Sequence, residues 1–201
     1  KKDMMVLLET SNVLRPDNYP EGLVGSGVKI CDVQTQNGIE KLAVINLMGQ
    51  YGMPTVENPF NWAKKLVTNL QEQNIKNIFL DFHAEVTSEK RIMLMMFKNQ
   101  ISAICGTHTH VGTDDLQIFE NTAYLTDIGL TGCRDNVIGM DSKIPIQKVT
   151  TGIGGHFEVP NSCKSILQML VVDIDDGKAS SAFKIKKYCN NSKLFITEAF
   201  I

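Results

Sequence analysis

A chain of 201 residues, 43% apolar and 21% charged, carries enough apolar content for one sizeable core. Its formal net charge of -2 leaves no broad basic surface, which argues against extended nucleic acid as a partner and leaves open a small phosphate ester whose charge is met by metal ions. No stretch approaches the roughly 18 unbroken apolar residues of a membrane span, and the cysteines at 31, 105, 133, 163 and 189 are odd in number and scattered. That spacing speaks against a disulfide scaffold or a Cys-rich zinc site and for reduced thiols in the cytoplasm. The opening KKDMMVLLETSNVLRP has no small-residue cleavage site, so it does not read as a signal peptide. With no initiator methionine, it reads as starting inside a longer sequence.

Met4–Leu8 fits a strand or the tail of a helix, and RPDNYPEG is loop. GVKICDVQTQNGIEKLAVINLMG predicts a hairpin turning at Asn37-Gly38, with Leu42–Leu47 apolar enough for a sheet interior. Ala63, Leu66, Val67 and Leu70 recur at helical spacing. NIFLDF follows as a strand. Thr87 or Ser88 is expected to cap the next helix, with Glu89 in its first turn and Ile92, Met95 and Met96 as its apolar stripe. ISAIC is another buried strand. The order strand, helix, strand, helix, strand is that of an α/β layer. TAYLTDIG predicts a short strand and turn, GCRDNVIGMD a loop, and IPIQKV stays unassigned. ILQMLVVDID and AFKIKKYC form a hairpin joined by DDGKAS, and KLFITEAF is a last strand, so the tail is mostly antiparallel. No repeat or linker divides residues 1–201, which favours a single domain.

Three of the four histidines stand at the ends of predicted strands: His83 in IFLDFHAE, and His108 and His110 in ISAICGTHTHV. Ligands of open α/β sheets bind outside the carboxyl ends of strands. In extended backbone, side chains two apart point the same way, with Cα atoms roughly 6 to 7 Å apart. Paired hydrolytic metals sit roughly 3.5 to 4 Å apart. His108 and His110 therefore suit one ion or straddle two, with His83 arriving from a neighbouring strand end. Neutral imidazole suits zinc, iron and manganese-class ions. Asp81, Glu85, Asp114, Asp115 and Asp127 are the nearby carboxylates. Asp81 shares a side with His83 and can orient its ring through the ring N–H; Glu85 and Thr109 are further candidates for supporting the rings. The pattern alone leaves metal binding and plain solvent exposure both open. His156 shows no partner and reads as structural. Gly106 is expected to permit a turn at the site, Gly129 and Gly132 to flank a loop that bends close to a ligand or makes only a tight turn, GLVGSG to be loop without a phosphate-loop lysine, and Trp62 to pack.

Taken in order, LRPDNYPEG, LAVINLMGQ, DFHAEVTSEK, GTHTHVGTDD, LTDIGLTG and GMD resemble the landmarks of the YmdB-like calcineurin-type metallophosphoesterases, a bacterial family described as 2′,3′-cyclic-nucleotide 2′-phosphodiesterases. The resemblance runs from about Asn12 to Asp176. It implies an α/β fold, a calcineurin-like metallophosphoesterase sandwich of two mixed sheets flanked by helices. It also implies two divalent or trivalent metal ions, iron first and manganese or zinc otherwise, with His83 and His108 as ligands and His110 on the other ion. The implied reaction is hydrolysis of 2′,3′-cyclic nucleotides or related small phosphate esters by a metal-bridging hydroxide. The family's opening strand with its GD-x-x-G motif, its N-G-E-N pair and its GNH motif have no counterpart here. By this resemblance the 201 residues are the C-terminal two-thirds or so of the domain, without its first strands and helices. The histidine at the leaving group lies outside them, no catalytic residue is assigned within them, and the segment alone is expected to be inactive. The rival readings are a general phosphomonoesterase, a regulatory or binding protein with a vestigial metal site, and a purely structural α/β domain. YGMPTVENPF is a candidate contact in a homo-oligomer.

Overall fold

Alternation in Asn77–His83 sets the architecture. Ile78, Leu80 and Phe82 are buried on one face, while Phe79, Asp81 and His83 take the other. The structure is a computed structural model and describes residues 15–36, 38–189 and 193–201. Met4–Leu8 and Asn37 lie outside the described residues.

A six-stranded sheet has the order β1-β2-β3-β4-β6-β5. Its strands are β1 (Val28–Thr35), β2 (Gly38–Met48), β3 (Asn77–His83), β4 (Ala103–Thr107), β5 (Gln117–Phe119) and β6 (Thr122–Leu125). The four central strands run parallel, and β1 and β5 are antiparallel edges. A second sheet, β10-β9-β8-β7, is antiparallel in every pairing, as the patterning of the tail implies. It comprises β7 (Gly132–Cys133), β8 (Ser165–Asp175), β9 (Lys178–Tyr188) and β10 (Leu194–Glu198). Asp176 and Gly177 both take positive φ, 45° and 84°, as a two-residue hairpin turn with the native twist requires.

Helix α1 (Pro59–Glu72) starts at Asn58, whose side chain accepts from the amides of Phe60 and Asn61, with Pro59 in the first turn where its missing N–H costs nothing. Its Ala63, Val67 and Leu70 pack with Met93, Leu94 and Phe97 of α2 (Thr87–Phe97) on the Ile78, Leu80 and Phe82 face. Each of the larger side chains contributes about 1.5–3 kcal/mol by burial. The opposite face of β4 and β6, through Ala103, Ala123 and Leu125, meets Ala179, Ala182, Leu170 and Val172 of the second sheet. Helices, first sheet and second sheet are thus three successive layers, with β3 and β4 central to the first sheet. Trp62 packs against the core as expected, and its ring N–H donates to Asp17 at 2.7 Å. No helix among the described residues is long and apolar enough to cross a membrane.

Four expectations are corrected here. Gly38 is not a turn centre but the first residue of β2, opposite Thr35. Neither Thr87 nor Ser88 caps α2; Val86 holds the cap position without a side-chain bond. The buried stripe of α2 is Glu89, Lys90, Met93, Leu94 and Phe97, whereas Ile92, Met95 and Met96 are exposed. The helix is rotated so that Lys90 meets the buried Asp127 and Glu89 accepts from the Gln50 amide, as described below. Finally, Cys133 and Cys163 form a disulfide with Cα atoms 5.6 Å apart, while Cys31, Cys105 and Cys189 stay free. The segment 134–162 lies between the bridged cysteines. Within it, the unassigned IPIQKV belongs to a third helix, α3 (Lys143–Thr151), which ends at Gly152 in the left-handed conformation.

Candidate metal-binding site

Parallel register aligns the carboxyl ends of three strands. Met48, His83 and Thr107 stand side by side on β2, β3 and β4, and Asn46 stands opposite Asp81 one pleat earlier. Asn46 Nδ2 donates to Asp81 Oδ2 at 2.8 Å, and the Thr107 hydroxyl donates to Asp81 Oδ1 at 2.8 Å. With its proton committed to Asp81, the Thr107 oxygen, 3.0 Å from His83 Nδ1, accepts from that nitrogen. This fixes the tautomer of His83 and leaves its Nε2 with a free lone pair.

That Nε2 faces His108 Nδ1 at 3.1 Å, with the rings edge to face and their centroids 4.8 Å apart. The other nitrogen of His108 lies 3.0 Å from Glu85 Oε2. Two acceptors, His83 Nε2 and Glu85 Oε2, therefore compete for the N–H of His108. A neutral imidazole has one N–H, and giving it to Glu85 leaves two nitrogen lone pairs facing each other. A cation between them, proton or metal ion, relieves that opposition, and the donor set is one that a transition metal accepts. Among the described residues no group of three His, Cys, Asp or Glu side chains is arranged to hold one ion, so the fit is that of a two-imidazole part of a site. Burial lowers the pKa of His83 below its ordinary 6.5, and His108 and then Lys90 add to this against the opposite pull of Asp81 and Asp127. In metal-free protein, unfolded chains then bind more protons than folded ones below about pH 6.5. The stability that His83 contributes is complete above that value and lost as pH falls toward its folded pKa. Urea unfolding is expected to show a smaller free energy at about pH 5.5 than at about pH 7.5, with part of the difference abolished in His83→Gln.

The loop after β4 is held from below. Lys90 and Asp127 form an ion pair at 2.9 Å with both side chains 0% exposed. The same Asp127 oxygen accepts from the amide of Thr109 at 3.0 Å, and its other oxygen accepts from Gly129 at 2.9 Å. Burial alone would raise the pKa of Asp127, but the bonds from Lys90 and the two amides outweigh it and hold the carboxyl below its ordinary value. Thr109 lies between the two loop histidines, both in positive-φ backbone, His108 at 109° and His110 at 61°. Such conformations cost of order 1–3 kcal/mol each and persist where surrounding bonds impose them.

This backbone corrects the premise that His108 and His110 share one side of an extended strand. The chain leaves the extended conformation after Thr107. His110 is exposed and lines a surface cavity with Arg134, Lys186 and Tyr188, and no hydrogen bond or ring contact joins it to His83 or His108. Of the supporting candidates, Asp81 acts on His83 through Thr107 rather than directly, Glu85 meets His108, and Thr109 contributes its amide to Asp127. Asp115 instead accepts from the amide and hydroxyl of Thr126, and His156 is exposed. Gly106 makes no turn. It lies within β4, where a Cβ would stand 1.7 Å from the carbonyl oxygen of Thr126. Sequence reasoning missed Asn46, Thr107 and Lys90. The first two follow from parallel register once β2, β3 and β4 are aligned. Glu89, whose Oε1 accepts from the Gln50 amide at 2.9 Å, was read only as a first-turn charge.

A family model described as YmdB-like protein matches residues 1–187. The chain belongs to the YmdB-like family. It is 39% identical over 193 residues to the 2′,3′-cyclic-nucleotide 2′-phosphodiesterase of Bacillus subtilis, an alignment covering 95% of this chain and 70% of that protein. It is 36% identical over 169 residues to a Mycoplasma genitalium protein named as a phosphatase/phosphodiesterase, covering 80% of this chain and 58% of that one. Among solved structures, a Thermus thermophilus protein superposes with a TM-score of 0.81 at 28% identity, over 99% of this chain and 72% of that one. A phosphatase from Mycoplasma pneumoniae gives 0.72, also at 28% identity, over 98% and 67%. The YmdB-like chain thus has the two-sheet α/β fold that its motifs imply.

Proposed function

We propose that this YmdB-like chain belongs to a phosphoesterase that hydrolyses 2′,3′-cyclic nucleotides or related small phosphate esters with two bound metal ions, iron first and manganese or zinc otherwise. The observation that carries the reading is the pair of imidazole nitrogens 3.1 Å apart at the carboxyl ends of adjacent parallel strands. The names of the relatives support the ester class. His83 Nε2 and His108 Nδ1 are the donors for one ion, and His110 is the candidate for the other. Once bound, the ions supply Lewis acidity that neutralises charge developing on the phosphate oxygens.

The chain's own residues do the rest. Asn46 orients Asp81, Asp81 takes the Thr107 proton, and Thr107 keeps the His83 proton on Nδ1, so that Nε2 is ready without rearrangement. Glu85 turns the His108 ring. The burial that lowers the His83 pKa keeps it neutral, the form a ligand needs. In full-length protein, a 2′,3′-cyclic nucleotide is expected to turn over faster than a simple phosphomonoester. His108→Ala is expected to lower that rate at least about a hundredfold, since changes one shell further out already cost ten- to a hundredfold. A faster monoester would favour the general phosphatase. A wild-type rate in His108→Ala would remove the proposed role of that residue.

A further inference from the structure

Against the loop that carries the histidines stands a cavity that the hydrolysis chemistry uses at most at His110. A surface cavity of about 370 Å³ has His110, Arg134, Asn136, Gln168, Lys186 and Tyr188 in its wall. No carboxylate lines it, and among the described residues neither Arg134 nor Lys186 has an ion-pair partner. Carboxylates are not scarce, since the chain has 22 acidic residues against 20 basic ones. Both cations face aromatic rings instead: Arg134 lies 4.8 Å from the centroid of Tyr188, and Lys186 lies 5.9 Å from Tyr188 and 5.8 Å from Phe195. A guanidinium stacked on a ring keeps its N–H edges free for two-point binding of a phosphate. A smaller adjoining cavity shares Gly112, Gln168 and Lys186 and adds the carboxylate of Asp114 and Lys184, a nearly buried lysine whose ammonium donates to the Thr113 carbonyl at 3.0 Å. Leu130 and Ile166 give the larger cavity an apolar wall suited to a nucleobase. Two residues of chain span at most about 7 Å, so the backbone at His110, which borders the cavity, is no farther than that from the backbone at His108.

We infer that this cavity is the subsite for a second phosphate of the substrate, which makes the preferred substrate a short oligonucleotide rather than a mononucleotide. Arg134 and Lys186 bind the phosphate that flanks the one at the histidine pair, and the apolar wall takes the adjoining base. The inference rests on the phosphoesterase reading, and its test does not require turnover. A fluorescently labelled 5′-phosphorylated dinucleotide without a cyclic end is titrated into full-length wild type, Arg134→Gln, Lys186→Gln and the double variant. Each single change is expected to weaken binding about tenfold, the equivalent of one charge-assisted hydrogen bond. Inorganic phosphate is expected to compete at least about a hundredfold less well than unlabelled dinucleotide. Equal affinity in wild type and double variant, at matched melting temperatures, overturns the subsite. So does inorganic phosphate that competes as well as the dinucleotide, which would mark a general anion site. If the double variant does not fold, the single variants decide on the same criterion. Intact binding without turnover of a 2′,3′-cyclic nucleotide would count against the phosphoesterase reading alone.

Discussion

Asp127→Asn is expected to lower the unfolding free energy by about 3–5 kcal/mol, because it strands the ammonium of Lys90 without a counter-charge where no water reaches it. Removing one partner of a buried pair costs far more than the pair contributes, since the remaining charge keeps its full desolvation penalty. Replacing both partners, as Lys90→Met with Asp127→Leu, is therefore expected to recover part of the loss, the part due to the unpaired ammonium. Asp127 also accepts from the amides of Thr109 and Gly129, so the double variant should regain stability without regaining the loop. Chemical denaturation reads the first effect, and hydrogen exchange at the Thr109 amide reads the second. A single variant as stable as the wild type would show that the pair is not buried as described. Because the carboxyl titrates below its ordinary range in the folded state, its contribution is present at neutral pH and lost as acid carries the pH down through that folded pKa.

Gly106→Ala is expected to cost about 3 kcal/mol or more, at the upper end for overpacking. The added methyl would stand 1.7 Å from the Thr126 carbonyl oxygen and 2.8 Å from Lys90 Cδ. The oxygen belongs to the backbone following β6, so relief requires β4 and the end of β6 to part where β4 leads into the histidine loop. Denaturation of the variant checks the magnitude. A loss below about 1 kcal/mol would mean that the strands separate easily there.

How much of this was legible in the sequence differs from element to element. β3 and β4 were plain, because the alternation in NIFLDF and the apolar run in ISAIC are local signals that tertiary structure did not override. The face of α2 was misread because core positions there are held by Glu89 and Lys90, whose partners Gln50 and Asp127 are 39 and 37 residues away. No periodicity reports a buried charge whose counter-charge is that remote. The Cys133–Cys163 bridge was missed because an odd, scattered count argues against a scaffold of several bridges but says nothing about one pair that folding brings together. At the site, the nearness of His83 and His108 followed from two strand ends, and the same-side placement of His110 failed because it assumed extended backbone in a loop with positive φ.

The most direct test is the metal content of purified full-length protein beside His83→Ala and His108→Ala, each shown to be folded. Wild type should retain metal through gel filtration, and each variant should lose most of it. Equal metal in all three, or none in the wild type, would contradict the claim that these two rings share a cation.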